Sequence, residues 1–134
     1  MSAQEIKDVI ARWASAFEET HSQDICKLYA NDGVLLGTLS PFYRDTPELI
    51  KEYFDGLFEL KKRSVEITEI NVKEYSDSAI LDGFYTFHWD SSGQQIDLDS
   101  RFTFVLEKQS TGWLIAHHHS SALPKNHIAV CSDD

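Results

Sequence analysis

The residues best suited to chemistry stand side by side near the end of the chain: His117, His118, His119, Ser120 and Ser121. An imidazole has an ordinary pKa near 6.5 and can exchange protons at neutral pH, while a serine hydroxyl both donates and accepts hydrogen bonds. If the run is a strand, alternation puts Trp113, Ile115, His117, His119 and Ser121 on one face. Leu114, Ala116, His118 and Ser120 then share the other. Residues two apart are roughly 6.5–7 Å apart, so His117 and His119 can converge on one small ligand or water. The bland alternative is one histidine lining a pocket and two serving packing or an interface. His-x-His also offers zinc two nitrogens, with a third ligand from His88, Asp82 or Glu69. No second group has metal-site spacing, however, so no metal is expected.

Further polar residues fall where helices and sheet should face each other. Thr38 ends an apolar run, and Tyr53 lies on an apolar helical stripe where its hydroxyl needs a partner. Arg101 opens a strand of alternating Phe102, Phe104 and Leu106. Taken singly, Tyr53 reads as a core aromatic and Arg101 as a solvated strand residue. The sequence has no GxSxG elbow, glycine-rich phosphate loop or HExxH, which removes several enzyme classes.

The elements that must carry these residues are legible from periodicity. Ser2 and Glu5 fit a capping box, and Ile6, Val9, Ile10, Trp13 and Phe17 recur at helical spacing. Ser22 is positioned to cap a second, short helix through Ile25, Leu28 and Tyr29, stopped by Asn31-Asp32-Gly33. A short strand covers 34–38. Thr46-Pro47 starts a third helix with the stripe Ile50, Tyr53, Phe54, Leu57 and Phe58, ending near Lys61. Four strands follow over 65–75, 78–89, 96–108 and 113–121, separated by Ser76-Asp77, Asp90-Ser91-Ser92-Gly93 and Ser110-Thr111-Gly112. The fold class is therefore α+β: three helices packed into a strongly curved, mostly antiparallel sheet. One domain spans 1–134, with 124–134 as a tail or edge cover.

Composition narrows the partners. With 22 acidic and 12 basic residues the formal charge is -10, which repels a phosphate backbone, so nucleic acid is not expected. Cys26 and Cys131 form no CxxC motif or disulfide framework, consistent with a reducing cytoplasm. No apolar run approaches the roughly 18 residues of a membrane span, so no membrane association is expected. Trp89, Trp113 and several phenylalanines on a curved sheet predict an apolar convex face that a second copy covers, as a homodimer or larger ring.

The layout, ending in Trp113-Leu114-Ile115-Ala116-His117-His118-His119, resembles the association domain of calcium/calmodulin-dependent protein kinase II, in the nuclear-transport-factor-2-like superfamily. The resemblance runs from Glu5 to Pro124 and implies a cone of helices in a curved sheet and oligomers built through that sheet. His117-His118-His119-Ser120-Ser121, with Gly37-Thr38-x-Ser40 and the segment from Arg44 to Tyr53-Phe54, is similar to iota-class carbonic anhydrases. That resemblance implies reversible hydration of carbon dioxide to bicarbonate in a polar cone pocket. Some members of the family work without a metal and others have been described as metal-dependent, so zinc or manganese is the alternative to no cofactor. Carried across, the catalytic residues are Thr38, Tyr53, His119 and Ser121, with His117 and Arg101 also binding substrate. His119 and Ser121 are preferred to His118 and Ser120 because strand alternation groups them with Trp113. A neutral imidazole would accept a proton from a water oriented by Thr38 or Ser121, while Tyr53 donates to the nascent bicarbonate.

Two other readings compete. One is a non-catalytic assembly or ligand-binding module that uses outward histidines as an interface. The other is a cone-pocket isomerase or dehydratase with a base such as Asp82. An apolar pocket with a buried carboxylate favours the second, and a pocket too narrow for more than a triatomic guest favours carbon dioxide chemistry.

Overall fold

A computed structural model describes residues 3–126 and 128. Helix α1, Ala3–Ala16, buries Ile6, Val9, Ile10 and Trp13, and Phe17 is buried just beyond it. This is the stripe expected from the sequence; the proposed Ser2 cap and Cys131 lie outside the described residues. Helix α2 is a single turn, Gln23–Cys26, and the chain is already extended by Tyr29. The expected helix through Tyr29 is thus corrected: strand β1 runs Tyr29–Leu36, straight through Asn31-Asp32-Gly33. Its register breaks between Tyr29 and Val34, so the polar triplet is held as an irregularity within the strand. Ser22 stands at the helix start but makes no capping bond; its hydroxyl donates to Asp55 instead. Thr38 lies two residues past the end of β1.

Helix α3, Pro47–Leu57, begins as the sequence predicts, with Thr46 Oγ1 accepting from the Leu49 amide at 3.2 Å and Pro47 in the first turn. It buries Ile50, Tyr53, Phe54 and Leu57. Four long strands follow: β2 Lys61–Glu74, β3 Ser78–Ser91, β4 Gln94–Gln109 and β5 Gly112–Ala122. They form one sheet in the order β1-β5-β4-β3-β2, with β1 parallel to β5 and the other pairs antiparallel. Arg63 ties the helical end to β2, its guanidinium donating to the carbonyls of Phe17 and Phe58, each at 2.9 Å.

The helices fill the concave face. There the core is built from the α1 and α3 stripes, Leu35 of β1, Ala79, Leu81, Tyr85 and Phe87 of β3, Phe102, Phe104 and Leu106 of β4, and Trp113 and Ile115 of β5. Two irregularities shape that face. In β2 the register shifts between Ile67 and Glu69, opposite Tyr85 and Phe84 of β3, and the next pair joins Ile70 to Gly83, whose φ is +157°. A Cβ on Gly83 would collide with the Glu69 carbonyl, so the close approach of these backbones depends on its absence. In β5 the register against β4 shifts because Val105 pairs with His117 and Leu106 with Ile115, leaving Ala116 unpaired. The second bulge decides which histidine points inward.

Gly83→Ala should destabilise the fold by about 1–3 kcal/mol, the cost of a strained backbone position that must also shift its neighbour. Gly56 in α3 has nothing within 4 Å of a built Cβ, so Gly56→Ala should stabilise by about 0.5–1 kcal/mol. Urea unfolding of both variants checks the pair, and an unchanged midpoint for Gly83→Ala would mean that the close approach is not structural.

Candidate functional site

One extra residue in β5 reverses the alternation that simple strand counting imposes. Before the bulge Trp113 and Ile115 are buried; after it the buried positions are His118 and Ser120. His119 is exposed and Ser121 half-buried on the outer face, opposite Thr103 and Arg101 of β4. The expected grouping of His119 and Ser121 with Trp113 is therefore corrected. His117 and Arg101 also belong to that outer face, so the structure does not bring these four residues to Thr38 and Tyr53.

What it does bring together is a row of hydroxyls around one imidazole. His118 Nδ1 is 2.7 Å from Tyr29 Oη, and its Nε2 is 3.0 Å from Tyr85 Oη. Tyr29 Oη accepts from the indole Nε1 of Trp13 at 3.1 Å. Tyr85 donates to Ser120 Oγ at 2.6 Å, and Ser120 Oγ is hydrogen-bonded to Thr38 Oγ1. Four elements or their flanks contribute: α1 gives Trp13, β1 gives Tyr29 and leads to Thr38, β3 gives Tyr85, and β5 gives His118 and Ser120. Tyr53 of α3 sits beside the row. Its hydroxyl accepts from the Leu39 amide at 3.4 Å, and its ring lies so close to Gly37 that any Cβ there would overlap it.

The surroundings are aromatic. Phe104 stacks on the His118 ring with centroids 3.9 Å apart, and Trp13 meets it edge-on at 5.4 Å. Burial in this setting pushes the His118 pKa down to about 3, with His117 and His119 adding to the effect. Burial likewise raises Tyr29 and Tyr85 well above their ordinary value, and raises Tyr53. At neutral pH every member of the row is uncharged. The His118 imidazole is thus too weakly basic to keep a proton taken from water, and His119, the histidine expected as base, is on the outer face.

Beside the row is a small cavity of about 10 Å³, lined by Tyr53, Tyr85, His118 and Ser120 together with Trp13, Phe17, Phe54 and Phe87. That is room for one water-sized guest. Tyr53 and Leu57 also line a larger, open hollow of about 360 Å³ together with Leu39, Phe42 and Arg44. Arg44 is only 5% exposed and pins this rim: it donates to the Leu49 carbonyl at 2.7 Å, to Glu52 at 2.8 Å and to Ser40 Oγ. The hollow and the small cavity share Tyr53 and Leu57 in their walls.

Among the described residues no three His, Cys, Asp or Glu side chains are grouped to hold a metal ion. Both nitrogens of His118 are engaged by tyrosines, so it has no lone pair to give. His88 is held by Asp97 at 2.7 Å and lies near Glu66 at 3.4 Å, on the outer face. Asp82 and Glu69 are exposed there as well. No carboxylate is among the buried residues described.

Sequence reasoning missed Tyr29, Tyr85 and Trp13. The available signal was a tyrosine at an inward position of a strand otherwise filled by Leu81 and Phe87, because a buried phenol demands a partner.

Residues 2–124 match the family described as the calcium/calmodulin dependent protein kinase II association domain. Among solved structures, a protein from Xanthomonas campestris assigned as such a domain is 38% identical, with a TM-score of 0.87 over 94% of this chain and 91% of that one. A nuclear transport factor 2-like superfamily protein from Salmonella enterica is 20% identical, with a TM-score of 0.81 and 93% of each chain covered. A ketosteroid isomerase-like protein from Erwinia carotovora is 22% identical, with a TM-score of 0.75 over 90% of this chain and 95% of that one. At these last two identities the likeness is one of fold alone. Among curated proteins, none matches the sequence.

The depressed His118 pKa has a consequence for stability. Below pH 6.5 the unfolded chain takes up a proton that the folded site refuses until about pH 3, so stability falls as pH falls through that window. Between pH 7 and 5.5 the loss should be about 1 kcal/mol. Urea unfolding of wild type and His118→Gln at both pH values should show this part of the slope in wild type alone, and equal slopes would show that His118 titrates normally.

Proposed function

Because the chain belongs to the calcium/calmodulin-dependent protein kinase II association domain family, we propose that it self-associates through its outer sheet face and hydrates carbon dioxide reversibly, without a metal, at the inner hydroxyl row. The observation that carries the catalytic part is the pairing of a cavity of about 10 Å³ with a neutral, hydrogen-bonded row of Thr38, Ser120, Tyr85 and His118. A space of that size holds a water and no organic substrate. A larger isomerase substrate would have to displace the aromatic wall, and Asp82, the base considered for such chemistry, stands exposed on the outer face.

In this reading the cavity holds the attacking water, and carbon dioxide, which has no charge to desolvate, meets it from the open hollow on the Tyr53 side. Thr38, Ser120 and Tyr53 orient the attacking water and bind the bicarbonate oxygens. As the carbon–oxygen bond forms, the water loses a proton to solvent on the half-exposed Thr38 side. His118 stays neutral and orders the hydroxyls, so the rate gain comes from positioned donors. One such donor is worth about 10²–10³, which suffices for a reaction with an appreciable uncatalysed rate.

The assembly part rests on the family match and on the outer face itself. Phe84 and Arg101 pair across strands there, alongside His117, His119 and the partly exposed Ile80 and Val105. The two parts are compatible because they use opposite faces of one sheet.

Stopped-flow carbon dioxide hydration should fall about ten-fold or more in Thr38→Val and in Ser120→Ala, the magnitude for loss of one positioned group. His119→Ala and Ser121→Ala should retain hydration, with His119→Ala weakening association in sedimentation velocity. Loss of turnover in the outer pair, with Ser120→Ala unaffected, would put the chemistry on the other face.

A further inference from the structure

We infer that the indole N–H of Trp13, by donating to Tyr29, fixes the Nε2–H tautomer of His118 and turns Tyr85, Ser120 and Thr38 into a one-way row of donors that ends at the Thr38 hydroxyl. Trp13 and Tyr29 are thereby positioning residues, although both lie away from Thr38. The direction of the row stands on hydrogen bonding alone; its use in holding an oxyanion rests on the reading above.

The argument is one of counting hydrogens. Each hydroxyl in the row has one hydrogen to give, and a neutral imidazole has one N–H and one bare nitrogen. Two arrangements of the whole row are possible, running in opposite directions. In the first, Tyr29 donates to Nδ1, Nε2–H donates to Tyr85, Tyr85 donates to Ser120, and Ser120 donates to Thr38. In the second, every bond is reversed and Nδ1–H donates to Tyr29.

Trp13 breaks the tie. Indole nitrogen can only donate, and Trp13 Nε1 lies 3.1 Å from Tyr29 Oη. Tyr29 is 7% exposed and its hydroxyl lies in the core, where among the described residues it bonds Trp13 and His118 alone. In the reversed row Tyr29 would receive two hydrogens and have nowhere to place its own, leaving a buried donor without an acceptor. The forward row satisfies every group, and it agrees with the 2.6 Å donation from Tyr85 to Ser120. An unsatisfied buried donor is costly enough to suppress the reversed row about ten-fold or more.

The forward direction decides what the site offers a ligand. Thr38 receives from Ser120 and is half-exposed, so its own hydrogen is left for whatever stands beyond it. A donor end suits a ligand atom that can only accept, such as a carboxylate-like oxygen of bicarbonate. The reversed row would need Thr38 to spend its hydrogen on Ser120 and would offer the ligand a lone pair instead. A tryptophan in α1 thus selects the polarity of a contact on the far side of the core.

Long-range proton–nitrogen correlation on protein with labelled histidine, at pH 7, reads the tautomer directly. Wild type should show His118 as Nε2–H with a bare Nδ1. Trp13→Phe should admit the second tautomer, since Tyr29 can then accept from Nδ1–H, and should weaken carbon-13 bicarbonate binding about ten-fold. Should Trp13→Phe fail to fold, Tyr29→Phe serves in its place, and it should likewise end the single-tautomer state. An Nδ1–H or averaged His118 in wild type, or an unchanged single tautomer in the variant, overturns the inference. Wild type with the Nε2–H tautomer but no bicarbonate binding upholds the row and removes the catalytic reading instead.

Discussion

The imidazole of His118, held between Phe104 and Trp13 with a tyrosine on each nitrogen, is the constraint around which the concave face is arranged. A polar ring this deep is tolerable only when both nitrogens are satisfied and the ring stays uncharged. That requirement explains why Tyr29 and Tyr85 stand at inward positions where apolar side chains would pack with less demand. It also links α1, β1, β3 and β5 through bonds that lose much of their worth if one partner is removed.

Two backbone irregularities make the arrangement possible. Gly83 allows β2 and β3 to approach at the register shift near Thr68, and the unpaired Ala116 turns the second half of β5 over. Without the Ala116 bulge, His117 and His119 would inherit the inward face from Trp113 and Ile115. With it, one sheet presents His118 and Ser120 to the cone and His117, His119 and Ser121 to the outside. An inner polar site and an outer association surface therefore come from one short motif without competing for side chains.

The helical stripes were readable from apolar spacing because α1 and α3 each bury a single continuous face. The long strands were readable from β-branched and aromatic runs, and Thr46-Pro47 marked its helix start through a local bond. Helix α2 was overextended because Leu28 and Tyr29 continue an apolar helical spacing, while their burial comes from pairing with β5 and packing on α3, which are long-range effects. Thr38 and Tyr53 could be singled out, but not their neighbours. A bulge carries no local composition signal at Ala116, and strict two-residue alternation then assigns the wrong half of the His-Ser run to the cavity.

The central claim is that the charge-free hydroxyl row beside this small cavity turns over carbon dioxide. Its most direct test is carbon-13 exchange spectroscopy between dissolved carbon dioxide and bicarbonate on chelator-treated protein at neutral pH. The account predicts exchange faster than in buffer alone and proportional to protein concentration. Exchange indistinguishable from buffer, or restored only by added zinc or manganese, would contradict it.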